Sequence, residues 1–355
     1  MWGSDLKALV KSAAEQAGFD LAGIAPAGDA HELEYFPEWI VAGHAGEMKY
    51  LEARDQRGDL KRGALSRVAP WARSVIVCAI NYNTAHPYST QLHDRDRGWI
   101  SRYAWSHEDY HDAVLCRLKK VEAALRDLVP GEQPATLTTR SYVDTGPIVE
   151  RVFAKYAGVG WIGKNTCIIH QEKGSWLFLG VILTSLELTP DLPAPDRCGS
   201  CTRCIEACPT DAIIAPYQLD SNKCISYLTI EKRGSIPEEF RVGVGRHIFG
   251  CDICQDVCPW NRKAPATSAP EFEPRSGLVN PALAWLAEMS VEGFREAFRG
   301  SPIRRTKRAG LRRNAAIAMG NSGNSEFLPL LETMAHDEDE SVAESARWSI
   351  ARLRS

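Results

Sequence analysis

The pattern of hydrophobic and polar positions divides the first 190 residues into helices and strands. The first twenty residues and residues 108–129 carry apolar side chains at helical spacing, so both are predicted to be amphipathic helices. Residues 74–82, 136–143 and 175–188 are short runs rich in aliphatic and β-branched residues, which predict strands. We therefore expect residues 1–190 to form an α/β domain, in the broad sense that includes α+β folds.

The rest of the chain is predicted to form two further regions. Residues 191–262 hold most of the cysteines and are expected to be a small separate domain. Residues 263–355 begin with a proline-containing linker and continue with helical spacing. Within them, Ala316-Ile317-Ala318 recurs 33 residues later as Ser349-Ile350-Ala351, which favours a HEAT-like region over the alternative of a plain helical cap.

Composition excludes some classes of protein. The formal net charge is -3, so no global basic field indicates nucleic acid, although local patches could still do so. No apolar run is long enough to cross a bilayer, and no basic segment followed by an apolar core resembles a signal peptide. We expect a cytoplasmic protein with no membrane partner.

Eight of the eleven cysteines lie between residues 198 and 258. The run Cys198-x2-Cys201-x2-Cys204-x3-Cys208-Pro209 has the spacing of bacterial ferredoxins, in which the fourth cysteine binds the other cluster. This exchange predicts two 4Fe–4S clusters, one held by Cys198, Cys201, Cys204 and Cys258, the other by Cys208, Cys224, Cys251 and Cys254. Structural zinc prefers paired sites of four ligands and fits this run poorly. The other three cysteines, Cys78, Cys116 and Cys167, are predicted to be buried inert thiols.

A glycine motif at residues 158–163 fits a dinucleotide-binding pattern literally. The motif also resembles a phosphate loop. Both the dinucleotide-binding motif and the phosphate loop need a strand before the glycines and a helix after them. Here the sequence predicts a helix from Pro147 to about Gly158 and a strand from Thr166 to His170. We therefore reject NAD or ATP binding at this loop and expect the glycines to allow close approach of a large flat ligand.

Two polar positions are candidates for acid chemistry or metal binding. Asp144 follows a predicted strand and could be a general acid, because ligands bind at that edge of parallel sheets. From position alone, however, a helix cap before Pro147 is favoured. His107 and His111 are spaced to share a metal, but solvated residues in a first helical turn are the favoured interpretation.

A basic block extends from Arg295 to Arg313 and contains eight Lys or Arg residues and one acid, Glu296. Such a block can contact phosphates, although a solvated helix face is the common alternative. The acidic stretch from Glu326 to Glu344 contains no Lys or Arg, so positive and negative surfaces are expected to be segregated. This segregation favours a polyanion site.

Motifs spread over nearly the whole chain resemble those of the epoxyqueuosine reductases, cobalamin-dependent iron–sulfur enzymes of tRNA modification. The resemblance rests on Gly46-Glu47-Met48, Ser101-Arg102-Tyr103-Ala104, Asp109-Tyr110-His111, Val143-Asp144, Gly160-Trp161-Ile162-Gly163-Lys164-Asn165, the cysteine runs with Cys208-Pro209-Thr210, Cys224-Ile225-Ser226, Phe249-Gly250-Cys251-Asp252, Cys258-Pro259-Trp260-Asn261 and Arg312-Arg313-Asn314-Ala315. One departure is that some relatives carry a cysteine where Ser101 stands.

The resemblance implies the reduction of epoxyqueuosine to queuosine at the wobble position of tRNA, the last step of queuosine biosynthesis. Electrons would pass from an unidentified donor through the clusters to cobalamin in the first domain, and Asp144 would be the proton donor. The positions that match cobalamin contacts are Arg62, Ser101, Asp144, Ile168, Leu179, Ser226 and Asp252. The anticodon stem-loop would be held by Lys232, Arg304, Arg305, Lys307, Arg308, Arg312 and Arg313. A monomer is expected.

Two other functions are compatible with the residues. A corrinoid iron–sulfur reductase of a small molecule, similar to the dehalogenases, would use the same cofactors but would have no need of a basic helical tail. A non-enzymatic electron-transfer protein would need the clusters alone, which leaves the first 190 residues without a purpose.

Overall fold

The computed structural model describes residues 2–128 and 137–355. Its strands alternate with helices through the first half of the chain and become rare in the second half. The strands are β1 (Leu21–Pro26), β2 (Ser74–Asn81), β3 (Trp99–Ile100), β4 (Thr139–Tyr142), β5 (Trp161–Ile162), β6 (Ile168–Ile169), β7 (Leu177–Thr184), β8 (Ile213–Ala215), β9 (Gln218–Leu219) and β10 (His247–Phe249).

The helices include four long ones and several of one or two turns. They are α1 (Trp2–Gln16), α2 (Tyr35–Val41), α3 (Tyr110–Leu128), α4 (Glu150–Tyr156), α5 (Arg203–Glu206), α6 (Ile225–Ile230), α7 (Glu238–Val244), α8 (Ile253–Asp256), α9 (Leu283–Ala287), α10 (Val291–Ala297), α11 (Lys307–Ser322), α12 (Leu328–Met334) and α13 (Glu340–Arg354). No helix in the described ranges has the length and apolar character that a membrane crossing requires.

The first compact unit comprises Met1–Asn83, Tyr110–Cys201 and Pro259–Pro270. Its sheet has the order β1-β2-β7-β4, and each pair is antiparallel. Successive residues of β2 point to opposite faces, so Val77 packs with Phe153 of α4, while α3 packs on the other face of the sheet. A Cβ on Gly180 would lie 2.9 Å from Leu118 Cδ1, so glycine lets α3 approach the sheet closely. The result is a three-layer α+β arrangement.

The second compact unit comprises Thr84–Asp109, Thr202–Cys258 and Glu271–Ser355. Its core is centred on α11, which packs against α9 and α13. Asn314 of α11 is fully buried and donates hydrogen bonds to the carbonyls of Thr229 at 2.8 Å and Ile248 at 2.7 Å. These bonds join the helix to α6 and to β10, which pairs in parallel with β3.

Most of the predicted elements are present, and their ends differ by a few residues. The predicted strand 136–143 is observed as Thr139–Tyr142, and the predicted helix 108–129 as Tyr110–Leu128; residues 136 and 129 lie outside the described residues. We predicted a ligand site at Asp144 because ligands bind at the carboxyl edge of parallel sheets. The sheet is antiparallel, so this rule does not account for Asp144. The division into domains at residues 190 and 262 stays a prediction.

The weak repeat lies on two helices that contact each other. Ala316-Ile317-Ala318 is in α11 and Ser349-Ile350-Ala351 is in α13. Ser349 Oγ donates a hydrogen bond to the Ala316 carbonyl at 2.8 Å, and a Cβ on Gly320 would lie 2.4 Å from Ser349 Oγ. The repeat therefore marks a close helix–helix contact, and its HEAT-like character stays a prediction.

Candidate functional site

The turn after β4 presents Asp144 on a strained backbone. Asp144 has a φ of 56°, and the Thr145 amide donates a hydrogen bond to the Val143 carbonyl at 2.5 Å. A left-handed conformation is unfavourable for a residue other than glycine, and such strain is concentrated at functional sites. The N-cap of the next helix is Val149, so the favoured position-only prediction, that Asp144 is a helix cap, is wrong.

Two residues at the start of α3 contact the Asp144 carboxylate. The Tyr110 hydroxyl donates a hydrogen bond to Oδ2 at 2.9 Å, and His111 Nε2 lies 3.7 Å from the same oxygen. The His111 imidazole, followed by the Tyr110 hydroxyl, lowers the pKa of Asp144 to about 2. The side chain is also 60% exposed. Asp144 is therefore ionised at neutral pH.

A second carboxyl, Glu150, lies close to Asp144 at the start of α4. Its Oε1 atom is buried and has no hydrogen-bond partner in the described part of the chain. Burial, together with the negative charge of Asp144, raises the pKa of Glu150 to about 7, although a backbone hydrogen bond and the charges of Arg151 and Arg62 oppose the rise. Asp144 and Glu150 therefore ionise in different pH ranges, and such separated pKa values are typical of acid–base sites.

Arg62, one of the predicted cobalamin contacts, is 8% exposed. Its guanidinium donates to the Tyr50 carbonyl at 2.8 Å and to the Gly146 carbonyl at 2.9 Å. The second of these bonds ends on the turn that carries Asp144. Both acceptors are carbonyls of this chain. Arg62 therefore has a structural contact in the protein in addition to its predicted contact with the ligand.

Ile168 and Leu179, also predicted cobalamin contacts, are apolar residues of β6 and β7. Ile168 is buried and Leu179 is half-buried. The glycine motif at residues 158–163 follows α4 and includes β5, and β6 comes after it, so the prediction of a helix before the motif and a strand after it is confirmed. A Cβ on Gly160 would lie 2.5 Å from the Ile169 carbonyl oxygen, so this glycine makes room for the chain itself rather than for the flat ligand that we expected.

Cys208, Cys224 and Cys251 lie together in the second unit. Burial raises the pKa of the Cys251 thiol well above its ordinary value, and the neighbouring Cys224 and Cys208 raise it further. Helices α5 and α8, which carry Cys204 and Cys254, pack against each other. No three His, Cys, Asp or Glu side chains in residues 2–128 and 137–355 are spaced to bind one metal ion.

The loop that begins the ferredoxin-type run is bonded to Lys164, the residue that directly follows the glycine motif in the first unit. Lys164 Nζ donates hydrogen bonds to the Gly199 carbonyl at 2.6 Å and to the Cys201 carbonyl at 3.0 Å. The Cys198 amide donates to Asp196 Oδ1 at 2.7 Å. These contacts hold Cys198 and Cys201 in a defined loop.

The three cysteines outside the two predicted quartets do not share one environment. Cys78 is buried in β2, where burial raises its pKa to about 12, as expected for an inert thiol. Cys167 is half-buried and Cys116 is exposed. The prediction of burial is therefore wrong for Cys116, because it faces outward from α3.

Ser101 and Asp252, two predicted cobalamin contacts of the second unit, bond to each other. Ser101 Oγ donates to Asp252 Oδ1, while Trp99 Nε1 donates at 3.0 Å and the Arg102 amide at 2.8 Å to Oδ2 of the same carboxylate. Ser101 and Asp252 are each 2% exposed, so these bonds are internal to the fold. Ser226, in α6, is half-buried. Contact of all three with cobalamin stays a prediction.

Comparisons with known proteins converge on one family. Residues 197–261 match the family model described as a 4Fe-4S double cluster binding domain, and residues 62–145 match the one described as Epoxyqueuosine reductase QueG, DUF1730. The chain is 38% identical over 353 residues to an epoxyqueuosine reductase of Xanthomonas campestris, covering 98% of this chain and 96% of that protein. The chain belongs to the epoxyqueuosine reductase family.

Solved structures of this family have the same fold. A crystal structure of an epoxyqueuosine reductase with an epoxyqueuosine-modified tRNA-Tyr stem loop matches with a TM-score of 0.86 and 31% identity, covering 99% of this chain and 90% of the other. The Bacillus subtilis epoxyqueuosine reductase, in a structure whose catalytic loop is swung out of the active site, matches with a TM-score of 0.86 and 30% identity over 99% of this chain and 91% of the other.

The residues of the basic block differ in solvent exposure, and therefore in their ability to contact RNA. Arg304 and Lys307 are exposed. Arg305 is exposed as well, but its Nε lies 2.6 Å from Glu231 Oε1. Lys232 is half-buried.

The inner residues of the block are bonded within the fold. Arg308 and Arg312 donate through Nε to the carbonyls of Met289 and Ala287, each at 2.7 Å, and Arg312 also pairs with Asp337. Arg313 is 1% exposed and donates to the carbonyls of Leu228 at 2.8 Å and Lys232 at 2.9 Å. We therefore remove Arg313 from the predicted RNA contacts, because its guanidinium is enclosed.

The acidic stretch is also less separate than the sequence suggests. Several of its carboxylates pair with arginines of the second unit, namely Glu332 with Arg354, Asp337 with Arg312, Glu340 with Arg347 and Glu344 with Arg241. These ion pairs neutralise part of the negative surface, so the two signs of charge are less segregated than we expected.

Sequence reasoning missed the partners of the site residues. Nothing local indicates that Tyr110 contacts a residue 34 positions away or that its neighbour His111 lies near the same residue. The favoured prediction for His111 is a solvated first turn. His107 is exposed. Nothing in the sequence singles out Glu150. Lys164 is singled out only as part of the motif Gly160-Trp161-Ile162-Gly163-Lys164-Asn165.

Proposed function

We propose that this protein reduces epoxyqueuosine to queuosine at the wobble position of tRNA, with two 4Fe–4S clusters and cobalamin as cofactors. Membership of the epoxyqueuosine reductase family over nearly the whole chain carries the proposal. It is supported by a relative whose structure contains an epoxyqueuosine-modified stem loop. Family membership favours this reaction over the reduction of a small molecule and over electron transfer alone. Because the substrate is tRNA, we also propose a cytoplasmic location.

The chain offers eight cysteines for the clusters. We propose the quartets predicted from the spacing, Cys198, Cys201, Cys204 and Cys258 for one cluster and Cys208, Cys224, Cys251 and Cys254 for the other. The mutual approach of Cys208, Cys224 and Cys251 supports the second quartet. The clusters would supply electrons singly.

The residues around the Asp144 turn fit a ligand with both polar and flat apolar surfaces. Ser141 Oγ and Glu150 Oε1 are buried in this unit without hydrogen-bond partners in the described residues, as expected where a polar ligand completes the site. Ile168 and Leu179 would offer apolar contact, and Arg62 and Asp144 polar contact. When bound, cobalamin would supply the strongly reducing centre that the epoxide requires.

The reaction removes one oxygen atom as water, so it consumes two electrons and two protons. The departing oxygen is a strong base unless it is protonated, and Asp144 is our proposed donor. A carboxyl with a pKa of about 2 holds almost no proton at neutral pH. Asp144 must therefore take up its proton when a ligand covers it, because exclusion of water raises the pKa of a carboxyl. Tyr110 and His111 would orient the acid until then.

We propose that the tRNA is held by exposed basic residues of the second unit. Arg304 and Lys307 are the strongest candidates, and Arg305, Lys232, Arg308 and Arg312 are partly engaged elsewhere. A target base in a single-stranded loop can be splayed out toward a reactive centre.

The test is to reconstitute the clusters anaerobically and add cobalamin, a strong reductant and tRNA that carries epoxyqueuosine. Digestion and mass spectrometry of the nucleosides should show loss of one oxygen atom, dependent on enzyme and on cobalamin. Asp144→Asn should abolish this loss with cluster spectra intact, whereas Asp127→Asn, at an exposed carboxylate of α3, should not. An unchanged nucleoside with intact cluster spectra would contradict the proposal.

A further inference from the structure

The Asp144 turn needs support from outside itself. Its φ of 56° and the short hydrogen bond between Thr145 and Val143 place a non-glycine residue in an unfavourable backbone conformation. Such conformations persist only where surrounding contacts favour them. The Tyr110 hydroxyl bonds to the side chain of Asp144, so it does not by itself hold the backbone.

Arg62 provides a backbone contact to this turn. Its guanidinium donates to the carbonyl of Gly146, two residues after Asp144, at 2.9 Å, and to the carbonyl of Tyr50 at 2.8 Å. The guanidinium carbon also lies 5.9 Å from the centre of the Tyr50 ring. Because Arg62 is 8% exposed, water competes weakly for these hydrogen bonds.

The charges around Arg62 favour the same arrangement. The Asp144 carboxylate, and Glu150 when it is ionised, interact favourably with its positive charge. Other charged or titratable groups near the turn include His111, Tyr110 and Arg151, of which Arg151 donates to the Thr166 carbonyl at 2.7 Å. Arg62 is therefore a buried cation joined to the turn by a hydrogen bond and by attraction to its carboxylates.

We propose that Arg62 is the positioning residue for the proton donor: its bond to the Gly146 carbonyl holds the strained Asp144 turn in its working conformation. The inference rests on the proposed function of Asp144 and goes beyond the predicted role of Arg62 as a cobalamin contact. Loss of the guanidinium would release the turn while leaving the clusters and the RNA-binding residues unchanged.

The first test measures the turn itself, without turnover. Hydrogen–deuterium exchange of residues 142–149 should be compared in cluster-loaded wild type, Arg62→Lys, Arg62→Met and the control Arg67→Met. Arg67 lies in the neighbouring turn and donates to the Leu60 carbonyl at 2.8 Å. We expect exchange at least tenfold faster in Arg62→Met and an intermediate rate in Arg62→Lys, which can keep one hydrogen bond. Unchanged exchange in both Arg62 variants, or equal acceleration in Arg67→Met, would overturn the proposal.

The second test separates positioning from cofactor binding. The affinity of Arg62→Lys for cobalamin is measured by absorbance, and turnover is then measured with cobalamin at saturation. Under that condition kcat should still fall at least tenfold, while KM for the tRNA stays within twofold. A loss of cobalamin affinity that accounts for the loss of turnover would assign Arg62 to the cofactor and refute the positioning role. If wild type itself fails to reduce epoxyqueuosine, the proposed function fails, whereas the exchange experiment still decides whether Arg62 holds the turn.

Discussion

Replacing Glu150 by glutamine should make the protein more stable at high pH. The structure raises the pKa of Glu150 from an ordinary 4.5 to about 7, mainly by burial. The folded state therefore binds this proton more tightly than the unfolded state does. As the pH rises from about 4.5 to 7, the unfolded chain releases the proton first and the folded state becomes relatively less stable.

The magnitude follows from the size of the shift. A difference of one pKa unit corresponds to about 1.4 kcal/mol, so the change from 4.5 to about 7 destabilises the wild type by about 3 kcal/mol above pH 7. Glutamine has the shape of the protonated acid and carries no charge. The stability difference between Glu150→Gln and wild type should thus be near its minimum below pH 4.5 and rise by about 3 kcal/mol by pH 8.

The assay is anaerobic thermal unfolding of matched cluster-loaded samples from pH 5 to 8.5, followed by tryptophan fluorescence. Glu187→Gln, which removes an exposed carboxylate, controls for the loss of one negative charge. The gain in Tm of Glu150→Gln over wild type should increase with pH. The same substitution should give a smaller gain in an Asp144→Asn background, because the charge of Asp144 contributes to the raised pKa of Glu150. A gain that is constant across this range would refute the reasoning.

Three further predictions concern the clusters, the RNA surface and the buried arginine. Lys164→Met removes two hydrogen bonds to the Cys198–Cys201 loop, so a chelator should bleach the cluster absorbance faster than in wild type or in Lys120→Met; equal rates would show that the loop holds without Lys164. Replacing Arg304 and Lys307 by Gln should weaken tRNA binding and reduce the slope of log affinity against log salt by about two, with kcat unchanged; an unaltered slope would place the RNA elsewhere. Arg313→Met leaves buried carbonyls unpaired and should lower the free energy of unfolding by about 3 kcal/mol or more in denaturant titrations, with no reduction of the salt slope; a reduced slope would return Arg313 to the RNA surface.

The sequence by itself determined the features that depend on local spacing. Cys198, Cys201, Cys204 and Cys208 are close along the chain, so their intervals alone indicate cluster ligands. Strand β2 was predictable because it is a continuous run of mostly apolar residues, all of which the fold buries. Helix α3 was predictable because its hydrophobic period matches the face that the fold buries. The resemblance to the family was also carried by short motifs, each of them continuous in sequence.

The tertiary structure decided the properties that depend on distant neighbours. The ionisation of Asp144 is set by His111 and Tyr110, which lie on another element. The same holds for Arg62, whose guanidinium reaches a carbonyl 84 residues away. Arg312 and Arg313 are adjacent in a basic run and look alike in sequence, yet Arg313 is enclosed while Arg312 is half-buried. A side chain's charge state and accessibility depend on what the fold packs around it, because desolvation and electrostatic interaction act through space rather than along the chain.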